Sequence, residues 1–439
     1  MSPVRLSRSV RYVALILAAW SVTLALRALP IGGEWAPLGA DVWVALFGWL
    51  IAYLSSFAIV FETLPARRRA APPAALAWEN RWIALLSLIA IAGAFLIAFD
   101  FAVLRGYGFG TPVALVRSEE VANVTQGQGG SFVSACGRLF TPALQIAWVL
   151  VVVRWRTVWG RVKLLLGLAT FTVFAEQTFY EGGRFFLATL IVNCLVARGL
   201  GRSSAPVSTA PPRRRSLRTV IVGVVAVVGF GAVFLNRAAA LNIDLSSVYL
   251  LYTRTFDVDV GAAAIARLDG GFGALWFVAA MFWIYVTQGA NELAVLMNAP
   301  QLAHAHGFFQ FPQVAQAINM FGGAGVGYDV FTELPNPGTY NTFVGAGYID
   351  FGHLGSIVFA LLLGALTALS LASFDRRRLG ALSLCAPLFV TLGVFSPVIS
   401  LVTNLWPAMV WASVVGWTVH SRRRAASSGR AHLTAGTPP

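Results

Sequence analysis

The sequence predicts an all-α, polytopic membrane protein with about ten transmembrane helices and one large external loop carrying an interfacial or re-entrant helix. Three observations predict it. Mean hydropathy is +0.72. Hydrophobic residues make up 57% of the 439 and charged residues only 11%, against roughly 25% charged in a soluble domain. Apolar runs of spanning length recur along the chain, and they lack the alternation of a barrel.

The runs are residues 12–29, 42–61, 82–104, 132–153, 164–180, 185–200, 219–235, 352–374, 379–400 and 405–420. A helix needs about 20 residues to cross a ~30 Å hydrocarbon layer, and most runs supply them. The runs 164–180 and 185–200 are short and meet at Glu181-Gly-Gly-Arg184, so they form either two spans or a dipping hairpin. The first run follows Arg5, Arg8 and Arg11 without a persuasive cleavage site, and is expected to be a retained span.

Arginine sets the orientation. With both termini and the loops near 62–81, 154–163, 198–218 and 375–378 placed in the cytoplasm, that side holds 24 basic residues and three acids, Glu62, Glu79 and Asp375. The other side holds eight basic and 15 acidic residues, consistent with the net charge of +14. The pI near 10.6 therefore reflects membrane topology, with no nucleic-acid partner implied, and clusters such as Arg67–Arg69 and Arg376–Arg378 read as topogenic anchors.

From Leu268 to Asp375 the chain has no lysine or arginine over 108 residues. Counting the apolar stretch 273–288 as a span would turn this segment to the cytoplasm, so it is placed as a helix lying in the interface or dipping part-way. The chain then divides into a membrane bundle over 1–235 with about seven helices and a cytoplasmic linker at 201–218, a large external loop over 236–351, a three-helix membrane part over 352–420, and a disordered cytoplasmic tail over 421–439. A loop above 100 residues is too long for a bare connector.

Chemistry is sought in the polar minority near the outer surface. Arg138, Arg184, Arg237, Arg254 and Arg267 are the candidate phosphate ligands, because a guanidinium forks onto phosphate oxygens and does so more strongly near lipid. The alternative for each is a helix-end arginine that snorkels or pairs with an acid. Glu176, Glu181, Asp257, Asp259 and Asp350 are the candidate carboxylates on that side, any of which burial can tune towards a general base. For Asp350, helix capping is the competing role. His353, three residues after Asp350, is an acid–base candidate. His304-Ala-His306 lacks further ligands at metal spacing, and no metal is expected. Cys136, Cys194 and Cys385 all lie in apolar runs and read as packing residues. There is no Walker loop, and no nucleotide cofactor is expected.

Tyr340-Asn-Thr-Phe and Tyr348-Ile-Asp-Phe-Gly-His-Leu-Gly355, leading into a final trio of spans, resemble the pattern of Wzy-type oligosaccharide repeat-unit polymerases. Glu181-Gly-Gly-Arg-Phe185 resembles that family's glycine–arginine element, and Trp276–Tyr285 followed by Gln288-Gly-Ala-Asn-Glu292 fits its outer loop. The spacing of arginine and glycine found in some members is absent after Arg184, Arg237, Arg254 and Arg267.

The resemblance implies a multi-pass enzyme of the bacterial inner membrane. It would move a growing glycan from undecaprenyl pyrophosphate onto a second lipid-linked repeat unit, with inversion and with no metal or nucleotide. It further implies that Arg184, Arg254 and Arg267 grip pyrophosphate, that Asp350 or Glu181, with His353, activates the acceptor, and that Tyr340 and Asn341 contact glycan. Membrane lipid, a chain-length regulator and a flippase are the implied partners. A ligase that transfers finished polymer, or a lipid-linked sugar flippase, would share this topology. The absence of an inverted repeat speaks against the flippase.

Overall fold

The computed structural model describes residues 8–64, 77–108, 111, 131–155, 157–181, 184–202, 231, 235, 239, 243–299, 304–320, 333–336, 341–375 and 380–434. Arg237, Tyr340, residues 203–218 of the expected linker and most of the expected span 219–235 lie outside them. The described residues are overwhelmingly helical. Seven of their helical stretches are long and apolar enough to cross a membrane, with Phe132–Val152 counted as one across its break, and Phe186–Leu200 and Ala381–Phe395 are shorter apolar helices. The described residues thus form a mostly helical, membrane-type architecture.

Three long helices begin the bundle: α1 (Arg8–Ala28), α2 (Ala40–Thr63) and α3 (Ala77–Phe99), the last running into a π-helical turn at Asp100–Leu104. The expected span 132–153 is two helices, α4 (Phe132–Phe140) and α5 (Ala143–Arg154). They part at Thr141-Pro142, where proline has no N–H to continue the ladder. Then come α6 (Gly160–Glu176), a second π-helical turn at Gln177–Glu181, and α7 (Arg184–Arg202).

Small residues set the closest approaches, as in other bundles whose helices meet in lipid. A methyl group on Gly93 of α3 would lie 2.7 Å from the Thr141 nitrogen and 2.9 Å from the Gly137 carbonyl. Trp49, Tyr53 and Phe57 of α2 are buried in the main core, where Trp49 stacks on Tyr53 at 5.3 Å.

A separate layer covers one end of the bundle. It contains α8 (Leu245–Thr255), α9 (Ala262–Leu268) and the first half of α10 (Gly273–Asn298), which share a core of Tyr249, Phe256, Leu268, Phe277 and Trp283. A two-residue antiparallel pair, β1 (Glu34–Trp35) with β2 (Val258–Asp259), pins this layer to the turn between α1 and α2. Trp283 donates to the Leu26 carbonyl at 2.6 Å, and Trp35 donates to Thr287 at 3.0 Å. The helix expected over 273–288 as an interfacial or part-way segment extends to Asn298 and, at 26 residues, is one of the seven stretches long and apolar enough to cross a membrane. Its second half is apolar enough to enter the main core, where Ala290 and Leu293 are buried.

The largest departure concerns the eighth run. After the short helix α11 (Pro312–Met320), helix α12 (Phe343–Asp375) starts nine residues earlier than the apolar stretch and breaks at Gly352, which has φ 67° and ψ −171°. The rings of Phe343 and Phe359 stack at 5.6 Å, whereas 16 residues of continuous helix would separate them by about 24 Å. Residues 343–351 are therefore a half-helix folded back on the long arm that follows. A glycine is required at the apex, because an L side chain is strained at this φ and a Cβ would lie 3.0 Å from His304 Nε2.

The half-helix starts deep. Phe343 packs on Trp49 at 5.1 Å, and its N–H bonds the Ser396 carbonyl at 3.0 Å. Ser396 in turn accepts from Trp20 at 3.0 Å. Trp20 and Trp49 lie eight and nine residues from the α1–α2 turn, or about 12–14 Å along their helices. Ser396 belongs to the link between α13 (Ala381–Phe395) and α14 (Val402–Thr434). Helix α14 continues through Thr434, across residues the sequence assigns to a disordered tail. Arginine and alanine there favour helix.

Candidate functional site

The half-helix gathers a polar cluster inside the bundle. Asp350, on its last turn, is fully buried. Its Oδ1 accepts the backbone N–H groups of Gly307 at 3.0 Å and Phe309 at 2.9 Å, and its Oδ2 accepts that of Gln310 at 3.1 Å. The main chain adds two bonds, from Ala305 N–H to the Ile349 carbonyl at 3.0 Å and from His306 N–H to the Asp350 carbonyl at 2.9 Å. His306 has φ 50° and Gly307 φ 97°. Successive left-handed residues turn their N–H groups to one side and make a concave anion seat. The sequence His304-Ala-His-Gly-Phe-Phe-Gln310 is thus a nest for the Asp350 carboxylate.

The nest delivers Gln310 to the base of the half-helix. Gln310 is fully buried; its Oε1 lies 3.4 Å from Ser400 Oγ and its carbonyl 3.2 Å from Thr403 Oγ1. The Ser400 N–H bonds the Asn341 carbonyl at 2.8 Å. Thr342 caps the half-helix by accepting the Gly345 N–H at 3.0 Å. Against Thr342 and the Val398 carbonyl lies Gly289 of α10, where a methyl group would come within 2.7 Å and 2.9 Å of them.

Several amide atoms in this cluster are buried without a partner among the described residues: Gln288 Nε2 and Oε1, Gln310 Nε2 and Asn341 Oδ1. An orphaned buried polar atom costs about 1–3 kcal/mol. Two further buried polar residues flank it on α10. Asn291 donates to the Phe256 carbonyl at 2.9 Å, and Glu292 accepts from Asn336 at 3.2 Å and 3.3 Å.

The residues singled out in the sequence fall in three places. Asp350, Asn341 and His353 share the half-helix and its apex. His353 is exposed and meets Tyr348 edge-on at 4.8 Å, while His304 flanks the other side of Tyr348 at 6.1 Å. Arg254 and Arg267 are exposed in the last turns of α8 and α9. Arg254 is two residues from Phe256, whose carbonyl is held by Asn291, so it borders the covering layer next to α10. Arg138, partly buried, ends α4, beside the bond from Trp411 to the Leu139 carbonyl. Glu181 closes the second π-helical turn and Arg184 opens α7. Among the described residues no three His, Cys, Asp or Glu side chains gather as a metal would require.

Gln310 and Ser400 are the members that sequence reasoning missed. The signal was their isolation: single polar residues between apolar neighbours, in Phe309-Gln310-Phe311 and Ile399-Ser400-Leu401.

A second buried polar chain runs through the bundle. Thr391 of α13 and Asn193 of α7 bond at 2.5 Å, and Asn193 donates to Gln145 of α5 at 2.6 Å. At the far end of α3, Arg105 pairs with buried Asp100 at 2.8 Å, and Ser131 donates to the same carboxylate.

No protein-family model, curated protein or solved structure matches the chain.

Proposed function

We propose that the protein is a membrane glycosyltransferase that joins undecaprenyl-pyrophosphate-linked oligosaccharide repeat units on the outer side of the bacterial cytoplasmic membrane. The observation that carries this reading is the cluster of neutral amides and hydroxyls at the buried end of the half-helix, joined through α10 to the layer that bears Arg254 and Arg267. Uncharged hydrogen-bonding groups inside an apolar bundle suit a sugar, and exposed guanidinium groups suit a pyrophosphate. The arginine asymmetry supports an external position for residues 236–351, with about ten spans and with α10 entering the bundle without crossing it.

The reaction forms a bond from an acceptor hydroxyl oxygen to the anomeric carbon of the donor glycan. The bond from that carbon to pyrophosphate breaks, and the pyrophosphate leaves with the electron pair. Arg254, Arg267 and Arg184 stabilise the leaving charge, with Arg138 and Arg237 in reserve. The acceptor proton needs a base. Asp350 is occupied by three N–H donors, which fits it for positioning. His353, exposed at the apex, is a candidate for the proton, and Glu181 is a further candidate carboxylate on this side.

A strain lacking the protein tests the reading. Lipid-linked glycan should accumulate as single repeat units with no longer forms. Persisting lipid-linked polymer contradicts it, and accumulation of finished polymer points to a ligase.

One observation favours a second reading. A half-helix that begins inside the bundle, next to the short helix α13, is the type of discontinuity transporters use for substrate sites. Movement of lipid-linked sugar between leaflets of proteoliposomes, without lengthening, would select that reading.

A further inference from the structure

We infer that Gln310, Asn341 and Ser400, with Gln288 beside them, form a subsite for an uncharged sugar ring presenting a hydroxyl or acetamido group. The inference rests on the glycosyltransferase reading and assigns the place where the acceptor is held.

Three observations carry it. First, the orphaned atoms include both signs of hydrogen bond. Asn341 Oδ1 is an acceptor and Gln288 offers a donor and an acceptor, none with a partner among the described residues, while the Gln310 Nε2 donor closes no hydrogen bond and has the Asp350 carboxylate as its charged neighbour. A group that both donates and accepts satisfies such a set, as a sugar hydroxyl or an acetamide does and a phosphate does not. Second, the amides are less than one-tenth exposed, at 0% for Gln288 and Gln310 and 6% for Asn341. Apolar residues of similar size would pack there without an unmet hydrogen bond, so the amides serve something the chain itself lacks.

Third, the cluster is held from three directions. Asp350 grips the backbone of Gln310, Ser400 joins it to Asn341, and Gly289 brings α10 against Thr342. Asp350, the carboxylate that holds the Gln310 backbone, accepts three backbone N–H groups, and the side chains of the subsite are themselves uncharged. Gly345 controls the space: a methyl group there would sit 3.3 Å from Asn341 Cβ and 3.4 Å from Oδ1.

The test uses the full chain in nanodiscs with undecaprenyl-pyrophosphate-linked repeat units as donor and acceptor. Gln310→Met and Asn341→Leu should each raise the acceptor KM about tenfold, the worth of one buried hydrogen bond, with kcat within about twofold. Gln288→Met is the companion variant, since Gln288 makes no hydrogen bond to lose among the described residues. All three should keep or raise the melting temperature. Wild-type extension with an unchanged acceptor KM in all three variants would mean that the amides hold only water, and overturns the subsite alone. A wild-type protein that neither binds nor extends the lipid-linked unit overturns both the subsite and the polymerase reading.

Discussion

Asp350 and Gln310, forty residues apart in sequence, are joined by a bond from the Gln310 N–H to the Asp350 carboxylate at 3.1 Å. The same carboxylate also holds Gly307 and Phe309, so one side chain folds a whole turn of the covering loop onto the half-helix. The arrangement separates two roles that the sequence leaves open for Asp350. A base must reach a substrate proton, whereas this carboxylate already accepts three N–H groups of the protein itself.

Asp350→Ala should therefore destabilise the fold by about 3–5 kcal/mol, since three buried N–H groups lose a charged acceptor. Asp350→Asn keeps one acceptor oxygen and should cost about 1–3 kcal/mol. Thermal unfolding in detergent reads both. An alanine variant that melts like the wild type yet is inactive would return Asp350 to a chemical role.

Gly352 makes the reversal between the half-helix and the long arm of α12. Gly352→Ala places a Cβ at φ 67°, 3.0 Å from His304 Nε2, and should cost about 1–3 kcal/mol from backbone strain. His304→Ala in the same chain relieves the contact but not the strain, so it should restore only part of the melting temperature. Full restoration would show that the side-chain contact alone demands glycine.

Gly93 and Gly167 form a matched pair for the packing argument. A methyl group on Gly93 would meet the backbone of Thr141 and Gly137, whereas nothing lies within 4 Å of the equivalent position on Gly167. Gly93→Ala should lower stability by more than ~1 kcal/mol, because α3 and α4 must separate. Gly167→Ala should be neutral or stabilise by up to about 1 kcal/mol through helix propensity. Equal melting temperatures for the two variants would refute the close crossing.

Asp244 caps α8 in the covering layer. Its carboxyl is held well below the usual carboxylate range by the Ser246 hydroxyl and by Ser247, whose N–H it accepts at 2.9 Å. A depressed folded pKa means the cap contributes above the unfolded value of about 3.9 and is lost as pH falls through the folded one. Amide exchange of residues 245–248 should lose protection at strongly acidic pH and in Asp244→Ala at neutral pH. Protection that does not change in the alanine variant would remove the cap from the account.

Most of the helices were legible because burial in lipid imposes long apolar runs, and α1, α2 and α3 fall within a few residues of theirs. The half-helix was not, because Thr342-Phe-Val-Gly-Ala-Gly-Tyr348 carries two glycines, only one strong helix former and no spanning length. It forms through partners distant in sequence: Trp49 beneath Phe343, and Phe359 beside it. The same holds for the site. Asn341, Asp350 and His353 stood out by residue type and proximity to a span, but Gln310 and Ser400 acquire meaning only when the nest brings residues 304–310 onto the half-helix. The break between α4 and α5 was signalled by Pro142 and overlooked because the apolar run continues through it.

The most direct measurement is made on the purified full chain, reconstituted in proteoliposomes with a single species of undecaprenyl-pyrophosphate-linked repeat unit and no nucleotide. The account predicts a ladder of lipid-linked glycans that lengthens with time and loses its longer rungs in Arg254→Ala and Arg267→Ala. A wild-type protein that leaves every repeat unit at its starting length would contradict it.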